Sequence, residues 1–212
     1  MKIRQFFLRF REVLSANAKT DYLHHQNRQA MNGQITILDK PSLRRMVGQL
    51  KKLLTEGEKR RQADSLFAQI EQLQQFKAAT DIAVYWSLDD EIATHRFIEK
   101  WFNRKRLWLP VVVGDDLIFR QFEGTDKMTA GAFGILEPTG RQLDNVAQIG
   151  LIIVPGVAFD LQNNRMGRGR GFYDRLLANS KAYKIGTAYS CQIFSQIPTE
   201  ETDIPMDLVV GG

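Results

Sequence analysis

Residues 148–156 read "QIGLIIVPG", and Leu151 through Val154 are all branched aliphatics. A run with no polar alternation suits a parallel strand covered on both faces of its sheet, and Pro155-Gly156 ends it. The stretch "RMGRGRGFYDRLL" (165–177) follows and passes into a helix expected over 172–179. A core strand, a glycine loop and a helix together form part of an α/β sheet, and ligands in such sheets bind beyond the carboxyl ends of the strands.

The same reading extends outward along the chain. "DIAVYW" (81–86), "RLWLPVVV" (106–113), "DLIFRQF" (116–122), "AYKIGTAY" (182–189) and "DLVV" (207–210) are predicted strands, with "GDD" (114–116) turning between the second and third. Leu43, Met46, Val47, Leu50, Leu53 and Leu54 recur at helical spacing, as do Ala63, Leu66, Phe67, Ile70 and Leu73. They predict two opening helices separated near Gly57. "EIATHRFIEKWFN" (91–103) predicts another, with Ala93, Phe97, Ile98, Trp101 and Phe102 on one side. Strands alternating with helices give the fold class: a single-domain α/β three-layer sandwich, its mostly parallel central sheet flanked by helices.

Residues 1–39 stand apart as an N-terminal extension, and 40–212 form the expected domain. "KIRQFFLRFREVL" (2–14) is basic and amphipathic, but no unbroken apolar centre followed by small residues marks a secretory signal. No apolar run approaches the roughly 18 residues of a membrane span. The one cysteine, Cys191, excludes an internal disulfide framework or a cysteine-rich zinc module and fits a reducing, cytoplasmic setting. The net charge of +5 points to anionic partners without choosing among them.

Several chemistries drop out. There is no Gly-Lys dipeptide and hence no Walker loop, no GxSxG elbow, and no metal spacing among His24, His25 and His95. The glycine loop remains. Glycines let backbone N–H groups approach an anion, a helix N-terminus adds positive potential, and Arg165, Arg168 and Arg170 add forked donors. Together they describe a phosphate cradle. On residues alone the competing readings stay open: a solvated loop, an RGG-type RNA-binding module, or a chance likeness to a dinucleotide fingerprint, although the spacing is GxGxG. Asp174, one turn into the helix, suits either Mg²⁺ beside phosphates or the helix dipole, and Asp160, Asp203 and Asp207 are further carboxylates nearby in sequence.

"LIIVPGVAFDLQNNRMGRGRGFYDRLL" resembles the signature of the 5-formyltetrahydrofolate cyclo-ligase (methenyltetrahydrofolate synthetase) family. "KPSLRR" (40–45), "YWSLDDEIAT" (85–94) and "GAFGILEP" (131–138) resemble three further blocks in the same order. The resemblance implies a NagB/RpiA/CoA-transferase-like fold and a cytoplasmic monomer. It implies ATP-dependent closure of 5-formyltetrahydrofolate, with or without a polyglutamate tail, to 5,10-methenyltetrahydrofolate with Mg²⁺, and no nucleic-acid or membrane partner. A folate-binding relative without catalysis is the alternative.

By the same resemblance, Lys40, Arg44 and the loop Arg165, Met166, Gly167, Arg168, Gly169, Arg170, Gly171, Phe172 and Tyr173 bind ATP. Arg168, Arg170 and Tyr173 act in catalysis, and Arg168 through Phe172 also touch folate. Glu91 takes the pterin, Trp86 lines its pocket, and Asp174 and Asp203 bind the metal. Two positions depart from the family pattern: Arg170 stands where a lysine is usual, and Phe172 where a tyrosine is usual.

Overall fold

The computed structural model describes residues 38–131 and 134–212, so the expectations for residues 1–37 lie outside it. Asp39 caps the first helix by accepting from Ser42 N–H, and Pro41 sits in the first turn where its missing donor costs nothing. Helix α1 (Lys40–Lys52) is followed by α2 (Glu56–Gln72) and a short α3 (Gln74–Ala78). Thr55 and Glu58 form a reciprocal capping box, so α2 starts ahead of Gly57, and the break falls at residues 53–55 instead of near that glycine.

Strands β1 (Asp81–Val84), β2 (Arg106–Val113) and β3 (Asp116–Gln121) surround α4 (His95–Trp101) in sequence. Next come the small hairpin β4 (Met128–Ala130) and β5 (Leu136–Pro138), then β6 (Leu151–Pro155), β7 (Ala158–Asp160) and β8 (Arg165–Met166). Helix α5 (Phe172–Ala178), β9 (Tyr183–Ala188), β10 (Ile193–Phe194) and β11 (Leu208–Gly211) complete the chain. The main sheet runs β11-β9-β6-β1-β2-β3, parallel throughout except for the β2–β3 hairpin. A second sheet, β10-β7-β8, carries the chain from β6 into the glycine loop.

The apolar run of β6 is wholly buried. Leu151 and Ile153 join the core beneath α2, α3 and α4, while Ile152 and Val154 join the core on the opposite face with Trp108, Phe119 and Leu177. This two-residue alternation across a sheet with both faces covered is the expected three-layer sandwich. Helix α1 packs instead through Leu43 and Val47 on the small sheet, against Ala158, Met166 and Phe194.

The predicted helix over 91–103 is shorter. Ser87 and Thr94 exchange backbone-to-hydroxyl bonds at 3.1 Å, and the Thr94 hydroxyl donates to the Tyr85 carbonyl at 2.7 Å. These bonds close residues 87–94 into a loop, so the helix begins only at His95 and Glu91 lies outside it.

Asp81 ties the opposite, amino ends of the strands. Its buried carboxylate accepts from Arg106 Nε at 2.7 Å and Nη2 at 2.5 Å, and from Trp108 Nε1 at 3.0 Å. The Arg106 bonds are the largest cause holding its pKa below 3.8, against the upward push of burial. Its stabilising contribution is therefore complete above pH about 4 and is lost as pH falls through the lower folded value. Asp81→Asn is expected to cost about 1–3 kcal/mol in denaturant unfolding at pH 7, and the gap from wild type should shrink in acid. A gap that is constant with pH would show that the charge does not matter.

Candidate functional site

In strand order β1 lies between β6 and β2, so the chain turns one way into β2 and β3 and returns to the other side for β6. The carboxyl ends of β1 and β6 thus meet at a switch in direction, where sheets of this class open a crevice. A cavity of about 400 Å³ lies there. Its walls come from the segment after β1 (Tyr85, Trp86, Leu88 and Glu91), from β2 and β3 (Pro110, Val112 and Leu117), from Ile135 and Glu137, and from Pro155, Gly156, Arg165, Gly167, Arg168 and residues 170–174. Trp86 is held between His95, with ring centroids 4.2 Å apart, and Phe122 at 5.8 Å. Burial lowers the His95 pKa below 6.5 and favours the neutral ring against Trp86.

The glycine loop crosses one side of the cavity. Gly169 (φ +101°) and Gly171 (φ +68°) use backbone that L side chains rarely adopt, and a Cβ at Gly171 would meet Arg175 Nη1 at 2.9 Å. Arg175 braces this turn by donating to the carbonyls of Arg170 and Asp115 and by covering the Phe172 ring at 5.4 Å. Arg44 holds the loop from α1, with Nε donating to the Gly167 carbonyl at 3.0 Å.

Arg168, Arg170, Tyr173, Trp86 and Glu91 all line the one cavity, together with Gly167, Gly171 and Phe172. Arg168 is bonded to Asp90 and Glu91. Burial raises the Tyr173 hydroxyl far above the ordinary phenol range, so at neutral pH it can donate a hydrogen bond but cannot act as a base. Lys40, Arg44, Met166, Gly169 and Asp203 do not line the cavity. They gather beside α1, where Lys40 Nζ lies 2.7 Å from Asp203 and 3.0 Å from Glu200. Burial acts to lower the Lys40 pKa, but its two carboxylate partners outweigh this and raise it.

Arg165 and Asp174 also line the cavity, with the Arg165 guanidinium largely sunk beneath the loop. The Arg165 side chain is 3% exposed, Nη2 pairs with Asp174 at 2.6 Å, and Nε has no hydrogen-bond partner among the described residues. A buried guanidinium left unpaired is costly, and the Asp174 carboxylate supplies its counter-charge. The Ile204 N–H also donates to Asp174, which brings that residue beside Asp203. Asp160 is structural, since its carboxylate accepts from Gln162, Asn164 and Ile197 N–H and closes the turn before the loop. Asp207 pairs with Lys184.

The model of the 5-formyltetrahydrofolate cyclo-ligase family matches residues 36–212. The chain belongs to this family. A 5-formyltetrahydrofolate cyclo-ligase from Haemophilus influenzae is 38% identical over 146 residues, 64% of this chain and 78% of the relative. That of Escherichia coli K12 is 36% identical over 141 residues, 62% and 78% of the two chains. Among solved structures, the 5,10-methenyltetrahydrofolate synthetase of Aquifex aeolicus superposes with a TM-score of 0.75 at 35% identity, covering 82% of this chain and 90% of that one. The synthetase of Mycoplasma pneumoniae gives 0.67 at 26%, covering 82% and 98%. For a cyclo-ligase-family chain, the residues that sequence reading passed over are Asp90, Tyr85 and Glu137. Glu137 stood inside the quoted "GAFGILEP" block without a role, and the paired acids at 89–90 were the signal for Asp90.

Gly169→Ala is expected to lower unfolding stability by about 1–2 kcal/mol, because the added Cβ opposes the left-handed backbone. An unchanged thermal midpoint would show that the loop is not held in this conformation.

Proposed function

We propose that this chain closes 5-formyltetrahydrofolate to 5,10-methenyltetrahydrofolate, with ATP converted to ADP and phosphate. The observation that carries the reading is the position of the glycine loop. Its Arg168, Arg170 and Tyr173 line the cavity that holds Glu91 and Trp86, while its Gly167 and Gly169 lie against Arg44 of α1. A folate on one side of the loop and nucleotide phosphates on the other would meet across it. The family match, which includes the loop, supports the same assignment.

In this reading the Glu91 carboxylate accepts paired donors from the pterin edge, and Trp86 packs on the ring. Lys40, Arg44 and the loop backbone hold the ATP phosphates. The formyl oxygen attacks the γ-phosphorus and the bond to ADP breaks. The folate nitrogen at position ten then attacks the formyl carbon and gives up its proton, and the carbon–oxygen bond breaks with phosphate leaving. Both steps need alignment and charge neutralisation, supplied by Arg168 and Arg170, and no protein nucleophile. Tyr173 contributes a hydrogen bond.

Among the described residues, Asp174 and Asp203 each keep one carboxylate oxygen without a hydrogen bond. No group of three or more His, Cys, Asp or Glu suited to a metal occurs among the described residues. That donor set suits Mg²⁺ shared with phosphate oxygens, and these two residues would hold it. When bound, Mg²⁺ would neutralise phosphate charge. The reading extends to residues 40–212 as the catalytic unit, acting in the cytoplasm as a monomer and accepting polyglutamylated substrate.

Purified protein is expected to convert 5-formyltetrahydrofolate to a species absorbing as methenyltetrahydrofolate only with MgATP, and chelating the metal should stop it. No absorbance change at micromolar enzyme refutes the proposal. Arg168→Ala should lower the rate by about 100-fold by stripping charge from the transferring phosphate. Near-normal turnover would refute that role.

A further inference from the structure

A chain of charged groups runs from the end of α1 to the cavity wall. The Lys51 side chain is 7% exposed, and a buried ammonium needs acceptors. Lys51 finds them on one residue: Nζ donates to Asp90 Oδ2 at 2.6 Å and to the Asp90 carbonyl at 2.7 Å. The other carboxylate oxygen, Asp90 Oδ1, accepts from Arg168 Nη2 at 2.5 Å. One buried cation thus fixes Asp90 at backbone and side chain, and Asp90 holds a second cation with the oxygen that remains. Burial pushes the Asp90 pKa up, but the bonds from Lys51 and Arg168 outweigh it and keep the carboxyl below its usual range.

Glu91 shares the same guanidinium more loosely, with Oε1 at 3.2 Å from Nη2 and 3.4 Å from Nε. The two acceptors differ in one respect: Glu91 lines the cavity and Asp90 does not. A ligand offering paired donors to Glu91 competes for the carboxylate that Arg168 is using. The Arg168 side chain is 49% exposed, so without a second anchor it would then be free to swing into solvent. We propose that Asp90, fixed by Lys51, is a positioning residue that keeps Arg168 at the cavity wall while the ligand engages Glu91. Asp90 touches neither substrate. The proposal rests on the reading above, in which Arg168 serves phosphoryl transfer and Glu91 the pterin.

A loop tether with no link to Arg168 would affect stability and act independently of that residue. A double-mutant cycle separates the two. Asp90→Asn is expected to lower kcat by about 10-fold, with KM for 5-formyltetrahydrofolate moving less than about 3-fold. In the Arg168→Ala background the same change should cost less than about 2-fold. Lys51→Met, close in shape, should follow the same pattern by a second route. Equal costs in both backgrounds, or an effect on the thermal midpoint alone, would overturn the proposal. A readout independent of turnover is rotation of the Arg168 guanidinium in nitrogen-15 NMR, assigned by signals missing in Arg168→Ala. Separate Nη signals are expected in wild type with 5-formyltetrahydrofolate added, and coalesced ones in Asp90→Asn. An unchanged spectrum in Asp90→Asn refutes the anchor, whereas wild-type inactivity with MgATP would refute only the enzymatic reading.

Discussion

The structure depends on the parallel pairing of β6 with β1. Parallel neighbours cannot be joined by a tight turn, so each is reached by a crossover that leaves the sheet at the strand's carboxyl end. The two central strands therefore release their following segments on the same side. From β1 comes the loop with Trp86, Asp90 and Glu91, and from β6 comes the small sheet with the glycine loop. The cavity is the gap between these segments. The rule that fixes the core also gathers residues 85–91 and 155–174, which lie far apart in sequence.

Charge around the loop is balanced in pairs. Lys40 faces Asp203, Arg165 faces Asp174, and Arg168 faces Asp90 and Glu91. Such pairs hold side chains in place before any ligand arrives, which suits chemistry that relies on alignment. They also set up an exchange. On the proposed function, phosphates drawing on Lys40 would compete with Asp203, and a carboxylate losing its cation would become a ready oxygen ligand for a divalent cation arriving with the nucleotide. In that reading, the acids serve to store the site's cations and then to replace them.

The core strand and the glycine loop were legible because their signals are local. An unbroken aliphatic run has few alternatives at that length, and alternating glycines before a helix imply unusual backbone, realised at Gly169 and Gly171. Glu91 falls outside the expected helix because the Ser87–Thr94 bonds that close its loop are made by hydroxyl side chains across seven residues, and they leave no periodic signal in the sequence. Gly57 looked like a breaker, yet the capping box one step earlier decides where the helix begins. Lys51 reads as an ordinary cation completing a helix C-terminus. Only the fold shows that its ammonium is buried against Asp90, and only the fold shows Arg165 beneath the loop.

The ion pair between Lys40 and Asp203 spans 163 residues, and the bond from Arg44 to Gly167 spans 123. During synthesis α1 emerges well before these partners. The strands β1, β2 and β3 can pair while the ribosome is still translating, whereas the cation cluster cannot close until residue 203 has cleared the exit tunnel. A nascent chain therefore presents Lys40 and Arg44 to the cell's polyanions until Arg44 can reach the Gly167 carbonyl and Lys40 its carboxylates at Glu200 and Asp203.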